Sequence, residues 1–255
     1  MTKPGLSPAN RSLERGVELL RAFRPGTEVL GNAELAERTG LSRPTVTRLA
    51  QTLVGCGLLQ QDAPTRAYRL APAVLSLAQA MRAGCNELQL AAPLMREVAE
   101  RNHLNVGLAA PDRDEMVYLE SIRYNRRVAL RSVVSGQRVP TERTSLGRAW
   151  LAIAPDAERK ALLASFKRRR GAGWPALARE IDAALASVAQ LGYCAASWQP
   201  QVLAVAAPLR SAAQPLVVNV SVSTAEPLAQ AERELAPVLL ELVGRIDAAL
   251  ARAAP

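Results

Sequence analysis

The chain has 255 residues, 49% of them apolar, 22% charged and 4% aromatic, with a formal net charge of +9 and three cysteines. That length suits two domains of ordinary size, and the apolar share can fill cores without staples. Three widely separated cysteines, Cys56, Cys85 and Cys194, argue against a disulfide framework and fit reduced thiols in a cytoplasm.

The basic excess suits a polyanionic partner, but it is spread out: residues 1–91 hold 11 Lys or Arg against 7 Asp or Glu, and the remainder 21 against 16. The first thirty residues lack an apolar run of signal-peptide length, and stretches such as residues 202–209 are too short to span a bilayer. The expectation is a soluble, cytoplasmic protein with no membrane partner.

Residues 1–10, rich in Pro, Gly, Ser and Asn, read as a disordered arm. Ser12 is taken as the N-cap of a first helix whose Leu13, Val17, Leu20 and Phe23 share one face. Arg24-Pro25-Gly26 stops it. A second helix is expected after Asn32, turning Leu35 and Ala36 inward and ending at Gly40, and a third from Ser42 to Val54. Residues 58–60 and 67–70 read as two short strands around the turn Asp62-Ala63-Pro64-Thr65.

A helix then runs from Ala73 to Ala83, with Gly84 as a break, and another over residues 87–101. Val74, Leu75, Leu77, Ala78 and Met81 give the former an apolar stripe that can pair with a second chain or pack within its own. Farther on, strands are expected at residues 106–110, 116–122 and 128–134, helices at 146–153, 157–166 and 175–190, then strands at 193–198, 202–209 and 216–223. A helix over 229–251 closes the chain. A mixed or antiparallel sheet with helices on its faces is an α+β arrangement, not a βαβ cofactor fold.

The densest functional signal is residues 32–54, NAELAERTGLSRPTVTRLAQTLV. Two helices joined by a short turn through Gly40 form a helix-turn-helix pattern, and glycine suits the backbone that turn requires. Val46, Leu49, Ala50 and Leu53 keep the spacing of one buried face. Ser42, Arg43, Thr45, Thr47, Arg48 and Gln51 are left outward or flanking. Arginine can fork onto guanine edges in the major groove and glutamine can pair with adenine. Ser42 can cap the helix, whose first amides suit a phosphate, and Pro44 in the first turn costs no helical hydrogen bond. Arg66 and Arg69 lie where a hairpin wing would carry them to the backbone or minor groove; the alternative for each is a solvated surface charge.

With those residues in view, SLERGVELLRAF, ELAERTGLSRPTVTRLAQTLVGCGLL and AYRLAP resemble the IclR family of transcriptional regulators. The likeness continues through SGQRVPTERTSLGRAWLA, LGYCAASWQPQVLAVAAPL and LVVNVSVSTAEP, from about Ser12 to Ala251. The resemblance implies a winged helix-turn-helix at residues 11–71, a linker helix at 72–86 and a GAF-like effector-binding domain at 87–255. It also implies homodimers or dimers of dimers on a pseudo-palindromic operator, in keeping with the few bases one recognition helix can read.

Carried over by position, the resemblance places effector contacts at Ser145, Leu146, Ala204, Ser221 and Ser223. Ser221 and Ser223 share a face of one strand, and their hydroxyls can take a carboxylate or carbonyl oxygen; a half-exposed strand face is the plain alternative. The chain departs from the pattern after Gly192-Tyr193, where Cys194-Ala195-Ala196-Ser197-Trp198-Gln199 carries no carboxylate. A pocket lined by alanine and Trp198, with Gln199 as a polar contact, suits an aromatic or organic acid.

Lys167-Arg168-Arg169-Arg170 is expected to be a solvated loop rather than a nucleic-acid contact. An enzyme is not expected: the single histidine, His103, has no metal-like spacing and reads as capping or packing. Cys194 reads as core, and no phosphate loop or dinucleotide fingerprint is present. No cofactor or metal is expected. The rival readings are a ligand-independent regulator of the same fold and a non-specific architectural DNA protein.

Overall fold

The computed structural model describes residues 10–124, 134–224 and 227–253. The chain divides into two compact units, one ending at Gly84 and the other beginning at Cys85.

The first unit opens with helix α1 (Arg11–Arg21). Its N-cap is Asn10, not Ser12: the Asn10 carboxamide oxygen accepts from the amides of Ser12 and Leu13, both at 3.1 Å. An asparagine side chain caps the exposed first-turn amides as well as a serine does, and here it starts the helix two residues before Ser12. Helix α2 (Asn32–Thr39) starts at Gly31, whose amide donates to the Glu34 carboxylate at 2.8 Å. It ends at Gly40, which takes the left-handed conformation at φ 69° and donates to Ala36 O. Helix α3 (Arg43–Gly55) follows after two residues. Strands β1 (Leu59–Gln61) and β2 (Tyr68–Leu70) form an antiparallel hairpin. Leu30 exchanges both backbone hydrogen bonds with Tyr68, at 3.0 and 2.9 Å, and so ties the approach to α2 onto the hairpin.

Leu19, Phe23, Leu30, Leu35, Val46, Ala50, Leu59 and Tyr68 form the core of this unit. Each large aliphatic side chain buried there contributes about 1.5–3 kcal/mol. Leu13 and Val17, expected on the shared face of α1, stay 66% and 43% exposed. Helix α4 (Ala73–Ala83) ends the unit with no buried residue, and Leu75, Leu77 and Met81 all face solvent within it.

In the second unit a six-stranded antiparallel sheet runs in the order β5-β4-β3-β8-β7-β6. Its strands are β3 (Asn105–Asp112), β4 (Glu115–Ile122), β5 (Arg138–Pro140), β6 (Cys194–Gln199), β7 (Val202–Pro208) and β8 (Val217–Ser223). Helices α5 (Asn86–Asn102) and α9 (Leu228–Ala253) cover one face, over Val106, Leu108, Leu203, Val205, Val218 and Val220. The other face meets α6 (Ser145–Ile153), α7 (Asp156–Arg170) and α8 (Trp174–Leu191), with Trp150, Phe166, Ile181, Ala206 and Val217 at the contact. A side-chain period of two makes these faces from continuous apolar strands.

Helix α6 lies close against the segment before it. A Cβ on Gly147 would overlap the Thr141 backbone, so only glycine fits. Thr144 caps this helix, accepting from Gly147 N at 3.2 Å. The short strand β5 was not anticipated, and the strand expected over 128–134 falls almost wholly outside the described residues, as do residues 1–9 of the arm expected over 1–10, whose last residue, Asn10, caps α1. Among the described residues no helix is long and apolar enough to cross a membrane, and no cluster of metal-ligating side chains occurs.

Candidate nucleic-acid interface and effector site

Helix α3 is held by Val46 and Ala50, both fully buried. At 100° per residue the opposite side of the helix is set by Pro44, Arg48 and Gln51. Ser42, Arg43, Arg48 and Gln51 are all exposed, while Thr45 and Thr47 are half-buried on the flanks. Ser42 does not cap α3 through its hydroxyl as expected; it pairs with the Thr45 hydroxyl at 2.9 Å. The Thr47 hydroxyl donates back to Arg43 O at 3.0 Å, the usual satisfaction of a threonine inside a helix. Arg43, Arg48 and Gln51 therefore form the long polar reach of this surface. A groove of about 580 Å³ separates α3 from α1, with Leu13, Val17, Leu49, Leu53 and Arg48 among its lining.

In the hairpin, Asp62 closes the turn by accepting from the Thr65 amide at 3.1 Å and from its hydroxyl at 2.5 Å. Those bonds hold the Asp62 carboxyl below its ordinary value. Arg66 adopts a left-handed backbone at φ 56°. Both Arg66 and Arg69 are exposed. Two exposed arginines on the hairpin and two on α3 are thus carried by a single unit.

In the second unit the register aligns the other candidates. Across β6, β7, β8 and β3 one rung reads Ala196, Ala204, Ser221, Asn105. The rung on one side reads Cys194, Ala206, Asn219, Gly107, and on the other side Gln199, Val202, Ser223. All lie on the face that meets α6. Ala204 and Ser221 are buried, at 8% and 6%, and Ser223, Trp198 and Gln199 are half-buried. A bulge between Ala196 and Gln199 sets Trp198 against the same core. Ser145 is buried and its carbonyl accepts from Cys194 Sγ at 3.4 Å, which pins the start of α6 to β6. Leu146 is 1% exposed and packed in the core, so its contribution to a site is shape.

Residues not singled out from the sequence share this face. Asn105 and Asn219 are 3% and 4% exposed. Gly107 lies opposite Asn219 and two residues along β3 from Asn105, and a Cβ there would overlap the Tyr118 ring and lie 2.5 Å from Asn219 Oδ1. Burial pushes the Tyr118 phenol up and draws the neighbouring Arg123 guanidinium down. The signal for Asn219 was present: in VVNVSVS it falls on the face of Ser221 and Ser223, a polar residue flanked by valines.

Lys167–Arg170 is not a loop. It is the last turn of α7, where cations suit the helix C-terminus. Arg169 pairs with Asp114 and Glu142, and Arg170 with Glu142, whose side chain is fully buried. Two of the four charges in the densest basic run are thus paired within the chain. His103 caps α5 in the left-handed conformation, with its ring 4.2 Å from that of Tyr124. Cys194 is 1% exposed, and burial pushes its thiol up to about 12.

Residues 12–63 match the model of the IclR helix-turn-helix domain, and residues 83–248 that of the C-terminal domain of bacterial transcriptional regulators of the IclR type. The HTH-type transcriptional regulator TsaQ1/TsaQ2 of Comamonas testosteroni is 31% identical over 252 residues, spanning 96% of this chain and 90% of that protein. An IclR family transcriptional regulator from Brucella abortus has a similar crystal structure, with a TM-score of 0.84 and 34% identity over 99% of this chain and 97% of that one. A further similar structure is an IclR homolog from Microbacterium hydrocarbonoxydans in complex with 4-hydroxybenzoate. Its TM-score is 0.69 at 25% identity, over 95% of this chain and 100% of that one.

Proposed function

The chain belongs to the IclR family of bacterial transcriptional regulators, a DNA-binding regulator with a C-terminal ligand-binding domain and not an enzyme, and from that footing we propose how it works. It acts in the cytoplasm as a homodimer or dimer of dimers, reading an operator through residues 11–71. Residues 72–86 link that domain to an effector domain at 87–255, which binds an aromatic or other organic acid and thereby alters DNA affinity.

The observation that carries this reading is the exposed side of α3. Its apolar side is fully buried at Val46 and Ala50 while Ser42, Arg43, Arg48 and Gln51 stay open to solvent. Arg43, Arg48 and Gln51 meet base edges, and Thr45 and Thr47 line the helix flank against the groove wall. Arg66 and Arg69 reach the phosphates and fix orientation without reading sequence. An operator with two half-sites needs two such helices, and the exposed Leu75, Leu77 and Met81 of α4 offer a second copy an apolar surface.

The effector reading rests on the small-residue face of the sheet beside Trp198 and on the 4-hydroxybenzoate held by the Microbacterium relative. Ser221 and Ser223 donate to a carboxylate, Ser145 and Leu146 close the site from α6, Ala204 gives it depth, and Trp198 and Gln199 bound it at β6. The test is fluorescence anisotropy of the full chain on duplexes from the region upstream of its own gene, with and without a series of aromatic and short organic acids. A shift in DNA affinity with one class of acid is expected. Unchanged affinity with every acid would leave a ligand-independent regulator.

A further inference from the structure

The second unit has an open cleft of about 530 Å³ where α6, α8 and the segment joining β7 to β8 meet, with Ile153, Leu185, Val188 and Leu209 among its walls. Small-molecule sites span about 300–1,000 Å³. The apolar surface continues past the rim. Ile153, Leu191 and Leu240 are 44%, 56% and 40% exposed, and Leu240 lies 3.6 Å from the place a Cβ on Gly192 would take. Contiguous exposed apolar surface beside a concavity marks a binding site.

This cleft is separate from the residues assigned to the effector. Helix α6 carries Ser145 and Leu146 in its first turn and meets the cleft at Ile153 in its last, about 10 Å farther along. Strand β7 likewise reaches the cleft at Pro208, about 13 Å beyond Ala204.

Among the described residues the one charged side chain in the lining is Arg210, which is exposed and whose guanidinium forms no ion pair there. Its backbone is held in place. The Asp247 carboxylate accepts from the amides of Arg210 at 3.0 Å and Ser211 at 2.9 Å, and Leu209 N donates to Leu216 O at 2.9 Å. Helices α6 and α8 both end at the cleft, and the carbonyls of a last helical turn carry partial negative charge. An anion is therefore favoured beside Arg210 and disfavoured against the helix ends, while the aliphatic walls take hydrocarbon.

We propose that this cleft is a second small-molecule site, for a medium-chain aliphatic monocarboxylate whose head pairs with Arg210 and whose chain lies against Leu185, Val188 and Leu209. A dicarboxylate of the same length fits poorly, because its second charge would lie against the helix ends. The inference does not depend on the effector reading.

The test is isothermal calorimetry and thermal shift on the full chain with butyrate, hexanoate, octanoate and decanoate, and with octanol and octanedioate as matched partners of octanoate. Affinity should rise about twofold to fourfold per added methylene as the chain leaves water. Octanoate should bind about threefold or more tighter than octanol or octanedioate, the worth of an exposed charge-assisted pair. Arg210→Gln should remove the margin over octanol and leave octanol binding as before, which also reports a folded variant. Ala189→Phe, filling the cleft from an exposed position on α8, should weaken octanoate about tenfold, whereas Ser221→Ala should leave it unchanged. Binding that ignores chain length, that survives both cleft variants, or that is lost in Ser221→Ala overturns the proposal. So does binding by none of the acids together with a smaller sedimenting species in Ala189→Phe, the behaviour of a face covered by a second copy. Each of these failures leaves the effector reading untouched.

Discussion

In the N-terminal unit the candidate site is what the core leaves outside, and in the C-terminal unit it lies on a sheet face that the core largely buries. Helix α3 presents Arg48 and Gln51 from the side opposite Val46 and Ala50, and Arg43 from its exposed first turn. The sheet of the second unit instead sets Ser221, Asn219 and Asn105 among valines and alanines, on a face that α6 covers. The lesson is about coupling. A surface site can change sequence without disturbing stability, whereas a site on a buried face shares its atoms with the fold, so mutation there reports on both.

The sharpest way to break that contrast is at Gly147. Gly147→Ala puts a methyl group into the Thr141 backbone and is expected to cost about 3 kcal/mol or more, through overpacking and displacement of α6. Urea unfolding should show the loss in the second unit alone; an unchanged midpoint would mean α6 is not docked as described. Next in size is Arg48→Ala. Operator affinity should drop about tenfold to a hundredfold with relaxed base preference, while unfolding stays within about 0.5 kcal/mol of the parent. Loss of stability without loss of DNA binding would reverse the roles of the two faces.

Ser221→Ala should weaken an effector about fivefold and leave DNA affinity alone, as calorimetry and anisotropy would show. The smallest expected effect is chemical. At pH 8 a thiol reagent should label exposed Cys56 and spare Cys194, whose burial keeps its thiol protonated. Rapid labelling of Cys194 in the folded chain would contradict its place beneath α6.

Much of the first unit could be read from its residues because a helix period separates inside from outside with a few positions. Val46 and Ala50 define the inner side of α3, Arg48 and Gln51 follow as the opposite side, and Arg43 is open because it begins the helix. The second unit was legible in its elements but not in its site. Period two shows that Ser221 and Ser223 share a face, yet it cannot tell which residue of another strand lies opposite, because register is a property of the pairing. Asn105, 116 positions away from Ser221 in the chain, joins it only through that pairing. The basic run at residues 167–170 misled for a related reason. Its partners, Asp114 and Glu142, are distant in sequence, so a solvated loop and a helix end tied to a buried carboxylate look alike in one dimension. The cap of α1 was read at Ser12, which lies inside the helix; asparagine and serine cap about equally well, so residue type alone does not rank Asn10 above it.

The central claim is that the open side of α3 reads base sequence. Its most direct test is the affinity of the full chain for a duplex from upstream of its own gene against a scrambled duplex of equal length and composition, at one salt concentration. The account predicts a ratio of about a thousand or more, falling steeply in the Arg43→Ala, Arg48→Ala double variant. Equal affinity for the two duplexes, or a ratio untouched by the double variant, would contradict it.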